Sequence, residues 1–186
     1  MTQAVYVQAN WATDRYLDEV TYVSQASEES GFPIAIVAYA DMLAADVRPQ
    51  LDELARNARV RGVRMQLHWH ENTLYRFASG PDLARDPRVI ANIGRLAEYG
   101  FSFDLQVFAG QMAGAAELAA ACPNVTFVLQ HAGMLEDLSP EGITAWRAGM
   151  TLLAAQPNIT SKLSGLGTFL RRITVEEGES LELAMA

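Results

Sequence analysis

At 186 residues, half of them hydrophobic, the chain is long enough for one domain with a sizeable core. A formal charge of −8 and a pI near 4.8 provide no basic patch to neutralise phosphates, which excludes nucleic acid as a partner. Cys122 is a lone cysteine, Met1-Thr-Gln-Ala opens no secretory signal, and no apolar stretch approaches the ~20 residues of a membrane span. The expectation is a cytoplasmic protein with no membrane partner and a buried, inert Cys122 thiol.

Val5–Ala9 reads as a strand, followed by a helix from about Asp14 to Ser30 that Gly31 ends. Ile34–Tyr39 is the second strand. Asp46 then caps a helix whose Val47, Leu51, Leu54 and Ala58 share one face. Gly62–Leu67 is the third strand, with a long polar loop after it. Asp86-Pro87 opens a helix with Ile90, Ile93 and Ala97 as its apolar face and Gly100 as its end. Phe101–Val107 is the fourth strand and Met112–Ala121 its helix. Val125–Gln130 is the fifth strand, delivering His131 to a glycine-containing loop. Ser139-Pro140 begins a helix in which Ile143, Trp146, Met150 and Leu153 recur at helical spacing, and Asn158–Leu163 is the sixth strand.

About six βα units imply a parallel sheet covered by helices, in a single domain without linkers. Periodicity alone leaves an open doubly wound sheet and part of a barrel both standing. The polar residues favour the barrel. Arg64, Gln66 and His68 share one parity, as do Asp104 and Gln106, and Lys162 does with Thr160 and Ser164. Such sets suggest a shared polar cavity like the top of a (β/α)₈ barrel, with Arg64, Asp104 and His131 pointing into it.

Six words occur in order over roughly residues 4 to 168: Val5-Tyr-Val-Gln-Ala9, Ala35-Ile-Val-Ala-Tyr-Ala40, Arg61-Gly-Val-Arg64, Phe103-Asp-Leu-Gln106, His131-Ala-Gly-Met134 and Lys162-Leu-Ser-Gly165. In these the chain resembles the amidohydrolase-related enzymes of the (β/α)₈ metal-dependent hydrolase superfamily, in the lactonase-like branch of fuconolactonase and pyrone-dicarboxylate lactonase. The resemblance implies an incomplete (β/α)₈ TIM-type barrel holding barrel strands two to seven, with residues 169–186 a poorly assigned tail. It makes His131 the histidine after barrel strand six, a catalytic or metal-binding position. The family's strand-one H-x-H and strand-eight aspartate have no counterpart here, so the resemblance implies a fragment lacking units one and eight. This barrel normally takes ~250 residues.

His68-Trp-His70 is also an H-x-H, and two imidazoles completed by His131 or Asp104 would suit a divalent ion. The resemblance puts this pair after barrel strand four, where relatives carry a tryptophan-histidine pair without the metal role. His70 is therefore read as a substrate-side or loop-anchoring residue, and no metal ligand is assigned in the chain. Zinc or manganese would belong to the full-length relative. Arg64 suits a bidentate carboxylate, or else an ion pair with Asp104. Lys162 adds a positive group at the rim or snorkels at the surface. Gln8 and Gln106 offer hydrogen bonds to substrate or satisfy the backbone. Gly165-Leu-Gly167 lacks the rest of a dinucleotide fingerprint.

The reading is a hydrolase lineage opening an anionic lactone of a sugar acid or dicarboxylate by water attack. His131 is its carbonyl polariser or metal ligand. Gln8, Arg64, His70, Asp104, Gln106 and Lys162 line the substrate. The alternatives are a catalytically inactive truncated barrel that binds a ligand or partner, homo-oligomers included, and a complete doubly wound binding protein. Strand order separates the last from the barrel.

Overall fold

A computed structural model describes residues 3–168; the tail at 169–186 lies outside the described residues. The strands are β1 (Val5–Val7), β2 (Ala35–Ala38), β3 (Val60–Val63), β4 (Ser102–Leu105), β5 (Phe127–Leu129) and β6 (Ile159–Ser161). They form one sheet in the order β1-β2-β3-β4-β5-β6, and the β1–β2, β2–β3 and β3–β4 pairs are parallel. A doubly wound sheet reverses its order part-way, so the doubly wound reading falls and six units of a (β/α)₈ barrel stand. β1 and β6 are the two ends of this order, as the barrel reading expects.

Residues 3–168 divide into two compact units that alternate along the chain. The first comprises 3–65, 86–104 and 121–127. It carries α1 (Tyr16–Ser30), α2 (Arg48–Ala55) and α3 (Pro87–Tyr99). Its core joins Val20 and Val23 of α1, Leu51 and Leu54 of α2, and Ile36, Val60 and Phe103 of the strands, all buried. Phe103 meets Phe127 edge-on at 6.0 Å between centroids.

Local chemistry sets the helix ends. α1 stops at Gly31 and α3 at Gly100, and Asp86 caps α3 by accepting the Arg88 N–H at 2.8 Å. Asp46 accepts the Arg48 N–H at 3.0 Å but sits one residue before the position expected of a cap. The buried face of α3 is Val89, Asn92, Ile93 and Leu96, rather than Ile90, Ile93 and Ala97. Asn92 causes the misreading. Its amide donates to the Met42 and Ala44 carbonyls and accepts the Val47 N–H, so a polar residue occupies the inner face. On α2, Leu51 and Leu54 are buried as expected, while Ala58 lies beyond the helix and is exposed.

The second unit comprises 66–85, 105–120 and 128–168. The Gln130 N–H donates to the Leu105 carbonyl, and the Lys162 N–H to that of Leu129, each at 2.9 Å. α4 (Met112–Ala121) and α6 (Pro140–Ala154) belong here, Ser139 capping α6 through the Gly142 N–H at 3.0 Å. Between β5 and α6 lies α5, the single turn His131–Met134. Among the described residues no helix is long and apolar enough to cross a membrane.

Candidate functional site

Arg64 follows the end of β3, its N–H donating to the Ala38 carbonyl at 2.8 Å. β3 begins at Val60, two residues earlier than expected, so Arg64, Gln66 and His68 leave the ladder before their parity can act. The Arg64 guanidinium donates to the Gln8 carbonyl, while its Nε is buried without a hydrogen-bond partner. Burial lowers the Arg64 pKa, and the nearby charges of Asp104 and Glu19 and the Tyr6 ring oppose that shift. Asp104 is 1% exposed and Glu19 3%. Glu19 Oε1 accepts from the Tyr6 hydroxyl at 2.8 Å and from the Ala9 N–H at 2.7 Å, and burial and this bond push the Tyr6 phenol up to about 12. Gln8 Oε1 accepts the Asn10 N–H at 2.7 Å, so its amide oxygen satisfies the backbone. The first unit therefore brings Gln8, Arg64 and Asp104 together.

His131 stands at the C-terminal end of β5 on α5, which winds left-handed. φ is 54° at His131, 49° at Ala132, 77° at Gly133 and 50° at Met134. Three residues with side chains in that region cost ~1 kcal/mol or more each, so the surroundings must impose the turn. Trp146 Nε1 donates to the Ala132 carbonyl at 2.9 Å, the Ala132 N–H to the Lys162 carbonyl at 2.9 Å, and the Gly133 N–H to the Gln130 carbonyl at 3.0 Å. The His131 ring is fixed from the β6 side, with Nδ1 3.1 Å from Ser164 Oγ. Gly165, at φ 61°, packs against the ring: a Cβ there would lie 2.4 Å from His131 Nδ1. Lys162 Nζ donates to Gln130 Oε1 at 3.1 Å, and Gln106 Oε1 is buried without a hydrogen-bond partner.

The same unit contains a cavity of about 270 Å³ walled by Trp69, His70, Phe108, Gln111 and Glu136 among others. Gln111 binds its walls together. Its amide accepts the Trp69 and Phe108 N–H groups and donates to the Leu67 and Pro81 carbonyls. His70 Nδ1 accepts the Asn72 N–H at 2.8 Å, which puts the proton of the neutral ring on Nε2. His68 is 3% exposed, its ring against Phe77 at 4.8 Å and Phe108 at 5.7 Å.

A family model described as Amidohydrolase matches residues 1–181. The chain belongs to the amidohydrolase family. It is 34% identical over 167 residues to an uncharacterised protein, y4mH, of Sinorhizobium fredii, covering 90% of this chain and 56% of that one. It is 26% identical over 151 residues to an L-fucono-1,5-lactonase of Burkholderia ambifaria, covering 81% of this chain and 49% of that one. The chain spans about half the length of the curated relatives it matches. Among solved structures, an amidohydrolase from Burkholderia multivorans with bound zinc superposes with a TM-score of 0.80 at 23% identity, over all of this chain and 62% of that one. A probable 2-pyrone-4,6-dicarboxylic acid hydrolase from Acinetobacter baumannii with citric acid bound gives 0.54 at 11% identity, over all of this chain and 77% of that one. These structural likenesses show the shared amidohydrolase fold.

Among the described residues no three His, Cys, Asp or Glu side chains gather as one ion would require. Cys122 is 4% exposed and burial pushes its thiol up, the opposite of an activated nucleophile.

Three residues of this amidohydrolase escaped the sequence reading: Glu19, Gln111 and Glu136. Glu136 Oε2 is buried without a hydrogen-bond partner. Burial, aided by Asp137, raises its carboxyl pKa. A raised folded value favours the protonated fold, so stability is present in acid and is lost as pH rises through that value. Glu136→Gln is expected to raise the melting temperature by about 1–3 °C at neutral pH, with the gap closing towards about pH 4. Thermal unfolding of both proteins across that range checks it.

Proposed function

We propose that this chain is the carbonyl-polarising and substrate-holding part of a hydrolase that opens a lactone of a sugar acid or dicarboxylate by water attack. The observation supporting it is the imposed left-handed turn that holds His131 at a strand's C-terminal end, its ring fixed through Ser164. His131 polarises the lactone carbonyl, so that charge developing on oxygen meets a fixed imidazole. Arg64 anchors a substrate carboxylate, and Gln8, His70, Asp104, Gln106 and Lys162 are the remaining substrate contacts. The proton of the attacking water goes to an aspartate that the family resemblance places on barrel strand eight, outside the words this chain matches.

Residues that act as a unit lose most of their effect when one is missing, so the chain by itself should hydrolyse lactones no faster than buffer, with or without zinc or manganese. It should still bind a lactone in a His131-dependent manner. The test sets the purified chain against His131→Ala and His70→Ala on a panel of sugar-acid lactones, reading turnover and titrated binding. Turnover lost in either variant would show a working site of its own and overturn the expected inactivity. Absence of lactone binding would remove the lactonase reading.

The same reading expects self-association. Val5 on β1 is 57% exposed and Leu163, two residues past β6, is 83% exposed, and apolar edge strands invite pairing. Size-exclusion chromatography over a dilution series should show more than one species. A dilution-resistant monomer with sharp thermal unfolding counts against it.

A further inference from the structure

The end of β1 is gripped from two sides through a single peptide group. The Gln8 carbonyl and the Ala9 N–H belong to one peptide plane, so neither can turn without the other. The Arg64 guanidinium donates to that carbonyl, and Glu19 Oε1 accepts that N–H at 2.7 Å. A cation therefore sits at the oxygen end of the peptide dipole and a carboxylate at its hydrogen end, the favourable sense for both.

Each partner is fixed in turn. Glu19 lies in the first turn of α1, is 3% exposed, and its Oε1 also accepts the Tyr6 hydroxyl at 2.8 Å. With its pKa pushed up to about 12, the Tyr6 phenol remains a donor at any pH at which the chain is handled. Gln8 Oε1 accepts the Asn10 N–H at 2.7 Å, where the backbone turns left-handed at φ 59°. The Gln8 N–H donates to the Val37 carbonyl at 2.8 Å and ties the segment to β2. The peptide has little slack, so the carbonyl it offers Arg64 has one direction.

Arg64 depends on that direction. It stands one residue past β3, and its Nε is buried without a hydrogen-bond partner. A ligand can meet only the terminal nitrogens, and the Gln8 carbonyl sets how they are turned. Glu19 also acts on Arg64 by charge. For an anionic ligand the two actions differ in sign: holding the peptide presents the guanidinium, whereas the carboxylate's own charge repels the newcomer.

We propose that Glu19 is a positioning residue for Arg64, holding the Gln8–Ala9 peptide so that the guanidinium turns its terminal nitrogens to a ligand's carboxylate. The carboxylate belongs to the lactonase reading, on which this rests, but the positioning can be read without any ligand.

The guanidinium N–H resonances of Arg64, assigned through Arg64→Lys, provide that reading. In Glu19→Ala they should shift and broaden as the carbonyl turns away. In Glu19→Gln, whose amide oxygen can accept both bonds, they should stay near the parent's. Val20→Ala truncates the buried side chain next to Glu19, lowers stability without touching the peptide, and should leave them in place. Benzene-1,3-dicarboxylate, titrated calorimetrically into the full chain, then separates geometry from charge. Glu19→Ala should weaken its binding about tenfold, the scale of one charge-assisted hydrogen bond. Glu19→Gln should bind it at least as tightly as the parent, since only the repelling charge is lost. Tighter binding in both variants would mean that Glu19 acts by charge alone and would overturn the proposal. So would Arg64 resonances that Val20→Ala moves as far as Glu19→Ala does. If Glu19→Ala does not fold, Tyr6→Phe takes its place, removing only the hydroxyl that orients Glu19. It should move the same resonances, and unmoved resonances there would overturn the proposal. A dicarboxylate that fails to bind the parent would remove Arg64 from the lactonase reading, while the resonances still decide the role of Glu19.

Discussion

Replacing Arg64 by alanine is expected to cost about 3–5 kcal/mol, the range for breaking a buried charge network by removing one member. Asp104 and Glu19 are almost fully buried and lie in the field of that guanidinium, which also donates to the Gln8 carbonyl at the end of β1. Without it two buried carboxylates lose a nearby positive charge and a backbone carbonyl loses a donor. Urea unfolding at neutral pH checks the size. A full loss would mean that the guanidinium holds the first unit together whatever ligand it also meets, and a loss under ~1 kcal/mol would mean that it does not.

Much of the fold was legible because its signals are local. Gly31, Asp86-Pro87, Gly100 and Ser139-Pro140 act on neighbours within a few residues, and each marks the boundary expected of it. The start of β3 was not legible, because Val60 and Gly62 alternate with charged Arg59 and Arg61 and the run reads as a loop. The inner face of α3 was misread for a reason visible only in three dimensions: Asn92 finds its partners 45 to 50 residues away in sequence.

The site divides in the same way. His131 was conspicuous, since a strand ending in an imidazole beside a glycine is a local pattern. Glu19, Gln111 and Glu136 were not. Glu19 reads as one more acidic residue of an amphipathic helix until Tyr6 and Ala9 are seen to donate to it. Glu136 sits in an acidic pair before a helix cap, a pattern that usually means solvent. Gln8 could serve substrate or backbone on sequence alone, and its amide oxygen accepts the Asn10 N–H. Burial of a polar group depends on which distant segments cover it, and no periodicity carries that.

Gly165→Ala is expected to disturb His131 more than any change to the histidine's own hydrogen bond. The new methyl would lie 2.4 Å from His131 Nδ1, 2.7 Å from its Cγ and 2.9 Å from Thr168 Oγ1, at a residue whose φ is 61°. The left-handed backbone alone costs alanine ~1 kcal/mol, and forcing extra volume against a packed ring adds another ~1–3 kcal/mol. The ring has little room to yield, because its backbone is held in the imposed turn and its Nδ1 faces Ser164. Ser164→Ala, by contrast, removes one hydrogen bond and leaves the space, for a cost of about 1 kcal/mol. Gly80→Ala serves as the control, since a Cβ at Gly80 meets nothing within 4 Å. Imidazole proton resonances of His131, assigned through His131→Ala, should move strongly in Gly165→Ala, modestly in Ser164→Ala and not at all in Gly80→Ala. Lactone binding should fall in the same order. If Gly165→Ala kept the parent's imidazole resonances and stability, the β6 end would not be what positions His131, and the turn at β5 would have to hold the ring unaided.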